Sequence, residues 1–292
     1  MVAHMQVALA QFPEQSDDDR VLVTKNAVMV LDGSSGSGDG SVRPGTFAGR
    51  IGQYLAAEIT QNPVDDLKIC LERALDKEMT EFGLHPGARP STTISIFRLS
   101  PGQVEVLVLG DSPIIVGGDN FSQVITDSRL DDLDLEEVRK YRERLQSGSG
   151  YDLEHERLVE ILRQRQRDYR NRPGGFWVVC DDPKVARNAL VTRFDAAEVR
   201  WAVMATDGAA KPLMHLGWDD WGQIAQLDSA QLKELLERCH SWEAENDSGG
   251  VSFPRAKCHD DKTIVAISTY EELARPLRPL TEARDENVEH QT

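Results

Sequence analysis

Cysteine is scarce in this chain of 292 residues, and its four copies stand far apart, at Cys70, Cys180, Cys239 and Cys258. No C-x-x-C pair occurs, which excludes a zinc knuckle and a thioredoxin-like redox motif. Long apolar runs are missing as well. No segment reaches the ~20 apolar residues that a membrane helix needs. Gln6 to Phe12 is too short for the apolar region of a signal peptide, so a cytoplasmic protein with reduced thiols and no membrane partner is expected. Basic residues are outnumbered, 33 Lys and Arg against 49 Asp and Glu, leaving a net charge of -16. That balance argues against nucleic acid as a partner, because phosphate backbones reward clustered Lys and Arg. The five tryptophans form no stacking platform, and the abundance of Asp, Arg and Ala suggests a bacterial source.

What is present is enough apolar sequence to bury a sizeable core. Gln6 to Phe12, Arg20 to Thr24 and Ala27 to Leu31 read as three successive strands, the last two joined by a tight turn at Lys25-Asn26. Helices are predicted from Thr46 to Ile59 and from Val64 to Phe82, with apolar stripes Phe47, Ile51, Tyr54, Leu55 and Leu67, Leu71, Ala74, Leu75. Thr92 to Leu99 and Gln103 to Leu109 form a hairpin around Pro101-Gly102, and Ile114 to Val116 pairs with Phe121 to Thr126. Further strands are expected at Phe176 to Val179, Val199 to Thr206 and Thr263 to Thr269. Pro183 to Leu190 reads as a short helix, and Ser229 to Glu245 as a longer one with Ser229 as N-cap. Consecutive hairpins beside consecutive helices imply an α+β fold with antiparallel sheets face to face and helix layers outside. The domain is expected over 1–269, and 270–292 as a polar, loose tail.

Three short pieces each set an aspartate at the end of an apolar strand: Val28 to Leu31 before Asp32-Gly33, Ala202 to Ala205 before Thr206-Asp207-Gly208, and Asp260-Asp261 before Thr263 to Ile267. An acid at a strand end sits on rigid scaffold, and the glycine beside it admits close approach of backbone or ligand. Three such carboxylates could share one hard metal ion or bridge two. Gly110-Asp111-Ser112, after the strand Val104 to Leu109, belongs with them. The glycine- and serine-rich stretch Gly33 to Gly40 invites a phosphate-loop reading, but it lacks the Lys-Ser/Thr and opens no helix directly, so it reads as a flexible loop.

This set resembles the type 2C protein phosphatases, the magnesium- or manganese-dependent serine/threonine class. The resemblance rests on Asp18-Asp19, Val30-Leu31-Asp32-Gly33, Ser91-Thr92-Thr93 leading to Gly110-Asp111-Ser112, Ala205-Thr206-Asp207-Gly208, and Asp260-Asp261-Lys262-Thr263. Their order and rough spacing agree from about Val7 to Ser268. The resemblance implies a four-layer α-β-β-α sandwich. It implies two Mn²⁺ or Mg²⁺ ions, with a third in some members, and a metal-activated water that hydrolyses phosphoserine or phosphothreonine in a protein substrate. Asp32 would bridge two ions with help from the Gly33 carbonyl, and Asp207 and Asp260 would bind the first ion. Asp18 and Asp19 would hold metal-bound water, and Asp111 would support an additional ion. Hard ions of this kind prefer carboxylate, carbonyl and water oxygens, and no covalent phospho-enzyme is needed.

Two residues of the family pattern are missing. No arginine precedes the acidic pair in Phe12 to Asp17, and the family's Asp-Gly-His-Gly-Gly becomes Asp32-Gly33-Ser34-Ser35-Gly36, without a histidine to protonate the leaving group. Arg20, Arg43 and Arg50 are left as alternative phosphate contacts. These departures predict reduced activity, with a phosphatase-like regulatory or binding protein as the alternative. The segment 127–175 sits where the family places a mobile flap. Here it reads as a charged helical hairpin, either solvated and held by its own salt bridges or a lid that meets a partner, with a hinge at Arg170 to Gly175. His4, His85, His155, His215 and His240 show no metal spacing with one another, and His259 is the one histidine beside the proposed chemistry.

Overall fold

The computed structural model describes residues 3–14, 16, 18–34, 43–82 and 91–271. The predicted loop from Ser35 onward, Asp17, His85 and the predicted tail beyond 271 lie outside them. The chain opens with β1 (Ala3–Phe12), β2 (Arg20–Val23), β3 (Ala27–Leu31) and the two-residue β4 (Gly33–Ser34). Helices α1 (Pro44–Gln61) and α2 (Leu67–Phe82) follow, then β5 (Ser91–Thr92), β6 (Ile94–Ser100), β7 (Gln103–Leu109), β8 (Ile114–Gly117) and β9 (Ser122–Ile125). The helical insertion is α3 (Glu136–Gln146) and α4 (Leu153–Tyr169). Last come β10 (Leu190–Asp195), β11 (Trp201–Ala205), α5 (Asp207–His215), the short α6 (Trp221–Ile224), α7 (Ser229–Glu245) and β12 (Lys262–Glu271).

Two five-stranded antiparallel sheets result, in the orders β1-β12-β11-β8-β9 and β10-β7-β6-β3-β2. Alternation along each strand builds the layers. In β3, Val28 and Val30 face the other sheet, while Ala27, Met29 and Leu31 face α1 and α2. In β11 and β12, Ala202, Met204, Val265 and Ile267 face the second sheet. Val203, Ala205, Ile264 and Ala266 face α5 and α7. Both faces of each sheet are covered, which is why these strands read as unbroken apolar runs. The α+β expectation and its four layers, α-β-β-α, are what the structure has.

Local expectations needed correction at four places. Leu190 to Asp195 is a strand rather than a helix end: it is the edge strand beside β7, half exposed, so its apolar signal is diluted. Phe176 to Val179 forms no strand, because Val179 meets only Thr92 of the two-residue β5. The cap of α7 is Asp228, whose carboxylate accepts from Gln231 N at 2.9 Å in a capping box, whereas Ser229 Oγ accepts from Leu9 N. Finally, β12 continues past Thr269 to Glu271, paired with Ala3. Among the described residues no helix is long and apolar enough to cross a membrane, and all four cysteines are free.

Candidate metal centre

Register gathers the acids at one end of the sandwich. Arg20 pairs with Leu31, Ile94 with Leu109, Ile264 with Ala205, Ile114 with Met204, and Lys262 with Phe12. The ends of β1, β3, β7 and β11 therefore meet the beginnings of β2, β6, β8 and β12 at the same edge. Asp18-Asp19, Asp32, Asp111, Asp207 and Asp260 stand in the turns at that edge. Their placement follows from antiparallel pairing and needs no special loop.

Glycine sets the closeness of the approach. A Cβ on Gly208 would lie 2.1 Å from the Asp261 carbonyl and 3.1 Å from Asp260 Cβ, so only glycine lets the start of α5 reach the turn that carries Asp260. A Cβ on Gly33 would lie 2.7 Å from the Asp18 carbonyl. Gly110 has φ +97°, and a Cβ there would press within 2.7 Å of Thr93.

Hydrogen bonds fix the backbone beneath the carboxylates. The Asp32 carbonyl accepts from Thr93 N and from Thr92 Oγ1, both at 2.9 Å. Asp19 is 2 % exposed, and its Oδ2 accepts from Thr263 Oγ1 at 2.7 Å and Thr206 Oγ1 at 3.1 Å. Ser16 Oγ donates to Asp261 and accepts from Asp19 N at 2.7 Å, while Asp18 N reaches Asp261 Oδ2 at 3.3 Å. Asp19 and Asp261 thus tie the N-terminal turn to the turns before and after β12 and β11.

The centre is electrostatically crowded. Burial, then the charges of Asp19, Asp207, Asp260 and Asp111, push Asp32 well above the ordinary carboxylate range. Burial pushes Asp19 up to about 7, against the hydrogen bonds from its two threonines. Asp111 and Asp260 are also raised, chiefly by burial, against the pull of Lys211 and Lys257. Asp207 goes the other way. Burial opposes its charge, but Lys211 outweighs burial and holds it at about 2. Lys211 Nζ bridges Asp111 and Asp207 at 2.9 Å from each, and Lys257 Nζ lies 2.6 Å from Asp260.

These acids fit divalent cations by donor chemistry: all offer hard carboxylate oxygens, and their mutual repulsion is relieved by a bound proton or by positive charge. Two ammonium groups supply part of that charge. The acids stand farther apart than a compact trio: among the described residues, the only three side chains with donor atoms all within 4.8 Å are His240, Glu243 and His259. A cation that takes Asp207 Oδ2 competes with Lys211 for it.

Lys211 and Lys257 escaped the sequence reading, although Lys211 stands four residues after Asp207 on a helix, a spacing at which side chains meet. Of the arginines left open as phosphate contacts, Arg50 pairs with Glu78 at 2.7 Å, and Arg20 donates to the carbonyls of Ser16 and Asp19. Arg43 caps α1 through its carbonyl. The insertion supplies others. A cavity of about 810 Å³ is lined by Asp111, Asp207, Asp260 and Lys211 on one side and by Arg139 and Arg142 of α3 on the other. Arg139 pairs with Asp134, whereas Arg142 has no acidic partner among the described residues.

The insertion has its own apolar cluster of Leu135, Tyr141, Leu145 and Leu162, and ion pairs such as Arg144–Asp152 and Arg165–Glu137. It is also attached to the centre. His155 Nε2 contacts the Ala256 carbonyl at 2.9 Å, and Arg255 beside it donates to Asp247 Oδ2 at 2.8 Å and to the Cys258 carbonyl at 2.8 Å. That loop runs on to Lys257 and Asp260.

No protein-family model and no curated protein sequence matches the chain. Solved structures do. The catalytic domain of the serine threonine protein phosphatase PstP, in complex with two manganese ions, is 12% identical over 92% of this chain and 100% of its own, with TM-score 0.51. PppA, a key regulatory component of T6SS in Pseudomonas aeruginosa, shares the same identity, coverage and TM-score. A bacterial serine phosphatase is 11% identical over 93% of this chain and 98% of its own, again with TM-score 0.51. The chain has the fold of the PPM-type phosphatases.

Proposed function

We propose that this protein is a divergent PPM-type phosphatase, a metal-dependent hydrolase of phosphoserine and phosphothreonine in proteins. The observation that carries the reading is the convergence of Asp111, Asp207 and Asp260 from separate strand ends on one cavity, with the buried Asp32 within reach of their charges, in the fold that PstP shares. Asp32, Asp207, Asp260 and the Gly33 carbonyl would hold two Mn²⁺ or Mg²⁺ ions, with Asp111 as a further ligand. Such ions lower the pKa of bound water and neutralise charge on the phosphoryl oxygens. Asp19 is spent on Thr206 and Thr263, so it acts by positioning the turns rather than by binding a cation itself. Arg142, across the cavity, is placed to grip the phosphate in the absence of the N-terminal arginine.

A second reading is a phosphatase-like regulator that turns over weakly or not at all. What favours it is Lys211, which already neutralises the carboxylates a cation would need. Release of phosphate from phosphothreonine and phosphotyrosine peptides, with Mn²⁺, Mg²⁺ or chelator, separates the two. The phosphatase reading predicts metal-dependent turnover of the phosphothreonine peptide. It also predicts that Arg142→Ala raises KM about tenfold or more with little change in kcat, the loss of one charge-assisted hydrogen bond. Binding of Mn²⁺ without any turnover would leave the regulator.

A further inference from the structure

Beside the carboxylate centre, one trio of metal-ligating side chains converges. His240 and Glu243 stand three residues apart on α7 and so share a face, and His259 reaches them from the turn before β12. One donor atom from each lies within 4.8 Å of the others. The rings of His240 and His259 are 4.3 Å apart between centroids, and Phe12 backs His240 at 4.6 Å. Glu243 is 2 % exposed; a carboxylate so buried requires a cation. Lys262 provides one, its Nζ 2.9 Å from Oε2, with His259 Nδ1 3.2 Å from the same atom. A carboxylate has about four lone-pair sites, so Glu243 keeps acceptor capacity beyond the lysine.

We propose that His240, Glu243 and His259 form a second cation site, chemically distinct from the aspartate centre. Two imidazoles and one carboxylate select late first-row ions, Zn²⁺, Co²⁺ or Ni²⁺, over Mg²⁺ and Mn²⁺. Three protein ligands leave a fourth position for water, toward the partly exposed His259, whose side chain is 34% exposed. Because His259 directly precedes Asp260, an ion there clamps α7 to the turn that presents Asp260, and so steadies one wall of the carboxylate centre.

The test is titration of the full-length Asp207→Asn protein with Co²⁺, followed by its visible absorbance, a readout independent of activity; the substitution weakens the carboxylate centre, and dependence of the signal on the histidines distinguishes the trio from the acids that remain there. One equivalent of Co²⁺ is expected to bind with a d–d band typical of imidazole ligation. His240→Ala and His259→Ala, each in the same background, should lower the affinity at least about tenfold, with unchanged circular dichroism in chelator. His240→Gln serves if the alanine variant misfolds. Zn²⁺ should displace Co²⁺ and raise the Tm of the parent but not of the histidine variants. A missing band, or a band of unchanged affinity in both histidine variants, would overturn the proposal and reduce the trio to an ion-pair network around Lys262.

Discussion

Lys211 decides how the acidic centre behaves without metal. Its ammonium holds Asp207 ionised and takes up part of the repulsion around Asp111, at the cost of competing with any cation for the same oxygens. Unit charges ~4 Å apart interact by about 4 kcal/mol at an effective dielectric near 20, and partial exposure of Lys211 reduces that figure. Lys211→Met should therefore raise Mn²⁺ affinity about tenfold or more, read by calorimetric titration; unchanged affinity would mean that the lysine and the ion do not compete. Asp32 gives the pH dependence. Its pKa is raised on folding, so the folded state holds the proton more tightly than the unfolded chain. The resulting stability is fully present below the unfolded value near 3.8 and disappears as pH rises through the raised folded value. In chelator at pH 8, Asp32→Asn removes a destabilising charge and should raise Tm by at least about 2 °C; as pH falls toward 4 the difference from wild type should close. A lower Tm at pH 8 would contradict the crowding inferred for this centre.

At the scale of elements, the turns matter more than the strands they join. Gly208 lets the first turn of α5 approach the Asp261 carbonyl, and Gly208→Ala forces the two apart. A shift of ~1 Å at a catalytic group costs about 10²-fold in rate, so G208A should lose about that much activity while its circular dichroism stays native. Asp228, which caps α7, is a contrasting case. Asp228→Ala should lower stability by about 1 kcal/mol in urea unfolding with little effect on the carboxylate centre. The buried strands were readable because both faces of each sheet are covered, so β3, β11 and β12 appear as unbroken apolar runs. Edge strand β10 was not, since Arg193 and Asp195 dilute its pattern. Asp32, Asp207 and Asp260 could be recognised by the apolar strands beside them and by their glycines. The company of His240 with His259 could not: nothing local reports that α7 lies against the turn before β12.

For the molecule as a whole, the insertion α3–α4 changes what the sandwich end can accept. There the cavity is walled by carboxylates and lysines on the sandwich and by arginines on α3. Because His155 fastens the insertion to Ala256, in the loop that runs on to Asp260, a ligand that meets the insertion is coupled to the acidic centre. Sequence composition showed the insertion as a charged hairpin; its attachment depends on contacts between residues about 100 positions apart, such as His155 with Ala256. The measurement that tests the account most directly is the rate of phosphothreonine-peptide hydrolysis against Mn²⁺ concentration, for the wild-type chain and for Asp207→Asn. The account predicts turnover that rises with Mn²⁺, stops in chelator and falls at least about 10²-fold in the variant. Turnover that is indifferent to Mn²⁺, or that survives loss of the Asp207 carboxylate, would contradict it.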